Sequence, residues 1–184
     1  EIFAPLEMVD TGFYVPPFKT DRVAALHTTD PNGGLVPTYG GRGMLRTDPP
    51  VGPSGGGGLY GTAPDYIRFA QMLLNGGTLN GRRLLSPRSV ELMRSNHLTN
   101  VEQATYRRPG QGWGLNFSVV TNGATSGEAW STGSYYWLGI AGTWFWIDPE
   151  EDLVFVGMIQ ASGPAIAEVQ QLSRSLVYQA VVSD

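Results

Sequence analysis

The second half of the chain constrains its fold most. From residue 113 onward, four runs rich in aromatic and β-branched residues follow one another, over 113–120, 129–137, 140–147 and 153–159. Such runs read as strands. Asp148-Pro149-Glu150-Glu151-Asp152 separates the last two. These are turn residues, so the pair forms an antiparallel hairpin. A final helix is expected from about 164 to 182. Ile166, Val169, Leu172, Leu176, Val177 and Ala180 give it a broad apolar face, with which it would lie on the sheet.

Upstream, the clearest helix starts at Thr62. Thr62 and Asp65 resemble a capping box with Asp in place of Glu, and Pro64 suits a first turn. Tyr66, Phe69, Ala70, Leu73 and Leu74 share one face, and Asn75-Gly76-Gly77 supplies the stop. Asn80-Gly81 predicts a tight hairpin turn. Ser86-Pro87 opens a second helix with Val90 and Met93 facing inward. Residues 1–58, punctuated by prolines, read as mostly loop. So long a structureless stretch either packs over a site or rests against another segment. The expected fold class is α+β, a mainly antiparallel sheet with flanking helices. One domain of 184 residues would divide into a loop-rich part (1–58), a helical part (59–98) and strands plus a C-terminal helix (113–184).

Composition removes several functions. Net charge is −4 with scattered basic residues, so no nucleic-acid partner is expected. No apolar run is long enough for a membrane span. The absence of Cys excludes disulfides and a cysteine nucleophile. His27 and His97 are too far apart for ligand spacing, so no metal site is expected; no cofactor is expected either. Charged residues are only 15% of the chain, against roughly a quarter in ordinary domains. Such a deficit suggests surface that other protein covers.

Chemistry-bearing motifs are sparse. Gly52-Pro53-Ser54-Gly55-Gly56 matches G-x-S-x-G, but lacks the strand before and helix after that a nucleophile elbow needs. The acidic run 148–152 reads as a turn. His97, near a helix end, is placed to bond the last carbonyls. Lys19 reads as a solvated surface residue. Trp113, Trp130, Trp144 and Trp146 read as core or sheet-face residues rather than a ligand platform.

Three blocks, taken in order, resemble serine β-lactamase-related proteins. Residues 2–13, IFAPLEMVDTGF, are similar to the family's PLGM-x-DT-x-F stretch, with Glu7 where Gly is usual. Residues 57–77 resemble its GGL-x-ST-x-x-DY-x-RF-x-x-MLLNGG block, continued by Leu84-Leu85-Ser86-Pro87. Residues 136–149 are similar to the third-motif strand and the strand after it. The nearest branches are class C β-lactamases, family VIII carboxylesterases and D-aminopeptidases. The resemblance implies a β-lactamase/transpeptidase-like fold, of which this chain is the C-terminal portion.

It also implies a serine hydrolase working through an acyl-enzyme on esters, with β-lactams and D-amino-acid amides as the family's other acyl donors. No Ser here has Lys three residues on, because Lys19 is the only Lys, and no Tyr-x-Asn occurs. Both motifs are expected upstream, so the chain alone is expected to be inactive. The partner implied is an N-terminal segment of the same fold, and the ligand a small-molecule acyl substrate. The third motif maps to Trp137-Leu138-Gly139, where Trp resembles the esterase-like branch and Leu138 departs from its Trp-Gly-Gly. The Ile140 backbone N–H maps to the oxyanion hole, and Gly139 leaves room for the acyl group. Trp137 in place of Lys favours neutral esters over carboxylate-bearing substrates. From polarity and position, loops at 30–58 and 99–112 are candidate cleft rims, with Tyr39, Arg42 and Tyr106 as candidate substrate-binding residues. The alternative is a catalytically inactive binding or structural module of the same fold.

Overall fold

The computed structural model describes residues 1–38, 45–52, 54–106, 108–163 and 165–182. A 3-10 helix over Pro17–Arg22 precedes β1 (His27–Thr29) and β2 (Leu35–Pro37). Helix α1 (Ala63–Leu74), hairpin strands β3 (Thr78–Leu79) and β4 (Arg82–Arg83), α2 (Pro87–Met93) and α3 (Asn100–Thr105) follow. Then come β5 (Gln111–Trp113), β6 (Ser118–Val120), α4 (Gly123–Ser126), β7 (Tyr135–Leu138), β8 (Trp144–Asp148) and β9 (Leu153–Gly157). The chain closes with β10 (Ala161–Ser162) and α5 (Ala165–Ala180).

The main sheet is five-stranded and antiparallel throughout, in the order β5-β6-β7-β8-β9. Its strands alternate between two cores, as pleated strands must. Val119, Tyr135, Phe145 and Ile147 pack with Ala70, Met72 and Leu73 of α1. Val120, Tyr136, Trp144 and Trp146 pack with Trp130 and with Val177 and Tyr178 of α5. A small sheet joins β10 parallel to β1, and β1 antiparallel to β2.

Helix α1 forms as its sequence signals. Thr62 caps it, accepting from the Asp65 amide at 3.3 Å. The reciprocal half of the box is absent: the Asp65 carboxylate instead accepts from the Asp10 amide and the Thr11 hydroxyl, each at 2.8 Å. That diversion staples residues 10–11 to the start of α1. Gly12 and Tyr60 then exchange backbone hydrogen bonds of 3.0 and 2.8 Å beside it. At the far end the Gly77 amide donates to Met72 O and the Gly76 amide to Leu73 O, a Schellman stop.

Several expectations need correction. The run 113–120 is two short strands rather than one, because Asn116 turns left-handed at φ 67°. The run 129–137 is extended only from Tyr135, and 140–147 only from Trp144. The expected rim loop 99–112 contains α3, with a full Thr99–Glu102 capping box. The loop-rich 1–58 still holds β1 and β2. Helix α5 does lie on the sheet, and Val177 packs there as expected, but the buried face is rotated toward Gln170, Ser173 and Tyr178. Ser173 accepts from the Trp144 indole at 3.2 Å and Tyr178 donates to Asp148, while Val169, Leu172 and Leu176 stay about half exposed. Lys19 is not free in solvent, for its ammonium pairs with Asp10 at 2.6 Å.

The glycine stop gives a graded prediction. Gly76 (φ 64°) has only Pro87 near the place of a Cβ, whereas a Cβ at Gly77 (φ 94°) would collide with the Leu85 carbonyl. Gly76→Ala is expected to cost about 1 kcal/mol, from left-handed strain alone. Gly77→Ala should cost about 2–4 kcal/mol, with overpacking added. Urea denaturation checks this, and equal costs would contradict it.

Candidate active site

The site is built where two strands differ in length. Strand β6 pairs with β7 only at Ser118↔Tyr136 and Val119↔Tyr135, whereas β8 pairs along all of β7. Trp137 and Leu138 therefore run past the end of β6. The Gly139 amide donates to Thr143 O at 2.6 Å, so the backbone groups of 137 and 139 face β8. By antiparallel alternation those of Leu138 face the opposite, open side; Ile140 follows in the 139–142 turn, where the trans peptide that points Gly139 O at the Gly142 amide sends the Ile140 N–H the other way. Gly142 (φ 92°) turns the chain back, donating to Gly139 O at 3.0 Å. The Ile140 N–H has no acceptor among the described residues.

Side chains around this edge are apolar. Trp137 is 38% exposed and Ile140 69%. The Trp137 ring meets the Trp113 ring edge-on, centroids 4.5 Å apart. Gly139 has an internal reason to be glycine: a Cβ there would run into the Thr143 hydroxyl.

The structure thus groups Trp137, Leu138, Gly139 and Ile140 along one open edge. Tyr106 is committed elsewhere. Its hydroxyl lies 3.3 Å from Ser118 Oγ, in a buried network where Ser118 and Tyr136 both donate to Gln111 Oε1 and Arg108 donates to Tyr136. Tyr39 and Arg42 lie outside the described residues. Trp113 is the neighbour of the edge that sequence reasoning set aside as packing. Glycines on both sides of it were the available signal.

Other candidates resolve into architecture. His97 Nε2 lies 2.7 Å from Leu92 O in the last turn of α2, as its position suggested. His27 lies on β1 with Nδ1 2.9 Å from Ala25 O. Among the described residues no group of His, Asp and Glu is arranged to hold a metal ion, and no helix is long and apolar enough to cross a membrane. Arg22 first, then Lys19, hold the Asp10 carboxyl far below the usual carboxylate range. Glu7 has φ 55°, a left-handed backbone that explains why glycine suits that place, and its carboxylate meets Arg68 at 3.0 Å.

Asp148 is fully buried at the end of β8. It accepts from the Tyr178 hydroxyl at 2.5 Å and from the amides of Ser131, Glu150 and Glu151 at 3.0–3.3 Å. Burial alone would raise its pKa, but the hydrogen bonds from Tyr178 and Ser131 outweigh it and hold the carboxyl below its ordinary value. A depressed native pKa stabilises above the unfolded value, about 4, and the gain is lost as pH falls through the native one. Asp148→Asn is therefore expected to cost about 1.5–3 kcal/mol at pH 7. The gap from the native protein should close below about pH 4. A gap unchanged with pH would contradict this.

An antiparallel sheet between helix layers, with an inner strand left open where its neighbour ends, is the arrangement these elements define. Solved structures match it. EstCE1, described as a hydrolase with promiscuous acyltransferase activity, superposes with a TM-score of 0.78 at 22% identity, over 96% of this chain and 48% of that one. Simvastatin synthase (LovD) from Aspergillus terreus gives 0.78 at 21%, over 99% and 49%. Protein Rv1367c of Mycobacterium tuberculosis is 40% identical over 167 residues, covering 86% of this chain and 41% of the relative. The family model described as Beta-lactamase matches residues 1–178, and the chain belongs to that family. It spans about two-fifths of the length of Rv1367c.

Proposed function

We propose that this chain supplies the sheet-side wall of a serine hydrolase site that cleaves neutral esters through an acyl-enzyme. The observation that carries the reading is the Ile140 amide just past the end of β7, without an acceptor among the described residues, beside the partly exposed Trp137. The nucleophilic Ser and its Lys base come from a segment outside this sequence, as does the opposite cleft wall. The Ser Oγ attacks the ester carbonyl, and the oxyanion is held by the Ile140 N–H and the nucleophile's own N–H. The alcohol leaves with the proton, and water then releases the acid. Each such donor contributes roughly 10²–10³ in kcat. Trp137 lines the acyl side and offers one N–H but no positive charge, which disfavours carboxylate-bearing β-lactams and peptides.

The exposed Val169, Leu172 and Leu176 on α5 and the outer edge of β9, unpaired among the described residues, support the reading that other protein of the same fold covers this half. An inactive binding module is the second reading, favoured by Leu138 where the esterase-like branch has glycine.

The full-length protein should take up a fluorophosphonate probe on a Ser outside this chain and hydrolyse p-nitrophenyl butyrate. Ile140→Pro, which deletes the amide proton, should lower kcat about 10²–10³-fold without loss of fold by circular dichroism. Trp137→Lys should raise β-lactam turnover relative to ester turnover. A full-length protein that neither labels nor hydrolyses would overturn the hydrolase reading in favour of the binding module.

A further inference from the structure

Trp113 is held with unusual care for a partly exposed residue. Its amide donates to Asn96 Oδ1 at 3.1 Å and its carbonyl accepts from the His97 amide at 2.8 Å. Asn96 Oδ1 also accepts from the Leu98 amide, and Asn96 Nδ2 donates to Gln103 on α3 at 2.9 Å. Both flanking glycines are demanded by close approach: a Cβ at Gly112 would strike the Asn96 side chain, and one at Gly114 the Met93 carbonyl. The turn beyond is docked as well, since the Leu115 amide donates to Met93 O at 2.8 Å. The end of α2, the start of α3 and the β5–β6 turn thus all fix one backbone position. From it the indole reaches past the end of β6 to the Trp137 ring, 4.5 Å away at an interplanar angle of 80°.

We propose that Trp113 is a positioning residue that sets the orientation of Trp137 and so the depth of the acyl-binding wall; this rests on the esterase reading above. Rotation of an indole at the strand end opens or closes the space on the Trp137 face beside the Gly139–Ile140 backbone. An edge-on neighbour selects one rotamer, because the positive edge of one ring favours the negative face of the other. With Trp113 in place, the Trp137 face is a fixed apolar surface against which a longer acyl chain lies flat. Without it, Trp137 samples several rotamers, and each added methylene of substrate loses contact.

The test uses the full-length protein with p-nitrophenyl acetate, butyrate and octanoate. Trp113→Ala is expected to raise KM progressively with chain length, roughly three- to tenfold more for octanoate than for acetate, the span an aromatic pair contributes. The fall in kcat should be smaller than the rise in KM for each ester. Trp113→Phe, which restores a ring edge, should recover most of the loss. The ultraviolet circular dichroism couplet of the paired indoles should disappear in Trp113→Ala and in Trp137→Phe alike. A chain-length profile unchanged in Trp113→Ala, or a uniform fall in kcat for all three esters, would overturn the proposal while leaving the hydrolase reading intact. A native protein that hydrolyses no ester would instead remove the hydrolase reading, and the positioning role with it.

Discussion

The chain is organised around β8. All five of its residues are buried, with Phe145 and Ile147 on the α1 side and Trp144 and Trp146 on the α5 side. A strand that apolar on both faces is stable only between two covering layers, and α1 and α5 provide them. Strand β7 rides on β8 along its whole length. Because β6 gives out two residues early, the end of β7 is held rigidly from one side and left open on the other. Rigidity and openness at one backbone segment are what an oxyanion donor requires, since its value depends on not having to reorganise.

The polar groups at the ends of these elements fix the same geometry. Asp148 closes β8 by gathering the 131 and 150–151 amides and the Tyr178 hydroxyl. This ties α5 to the sheet beside the packing of Val177 and Tyr178 on Trp144 and Trp146. At the other end of the fold, Asp65 leaves its own helix cap half made in order to hold residues 10 and 11. The first and second resemblance blocks, far apart in sequence, are joined by that carboxylate together with the Gly12–Tyr60 backbone bonds and the Glu7–Arg68 ion pair.

Much of this was legible in the residues. The caps and stop of α1, the Asn80-Gly81 turn and the β8–β9 hairpin rest on local signals, and local signals do not depend on the rest of the chain. Other features were obscured. Gly114 and Asn116 are turn residues, but Trp113 and Phe117–Val120 around them read as one apolar run. Trp130 is buried without being in a strand, because it stacks on Tyr136 at 4.4 Å and lies under the Arg174 guanidinium. The β1–β10 pairing joins His27 to Ala161, a contact no local pattern announces. The face α5 turns inward was misjudged because Ser173 and Tyr178, which anchor it, are polar. At the site, the Trp137–Ile140 stretch stood out through its likeness to a family motif. Trp113 did not, since only the glycines beside it hinted at a tightly held backbone.

The central claim is that the Ile140 amide, left free where β6 ends, receives the developing oxyanion. The most direct measurement is a crystal structure of the full-length protein carrying a covalent phosphonate on its nucleophilic Ser. The account predicts the phosphonyl oxygen about 2.7–3.1 Å from Ile140 N, with the acyl-side substituent against Trp137. A phosphonyl oxygen held by other donors, with Ile140 N bonded elsewhere or facing solvent, would contradict it.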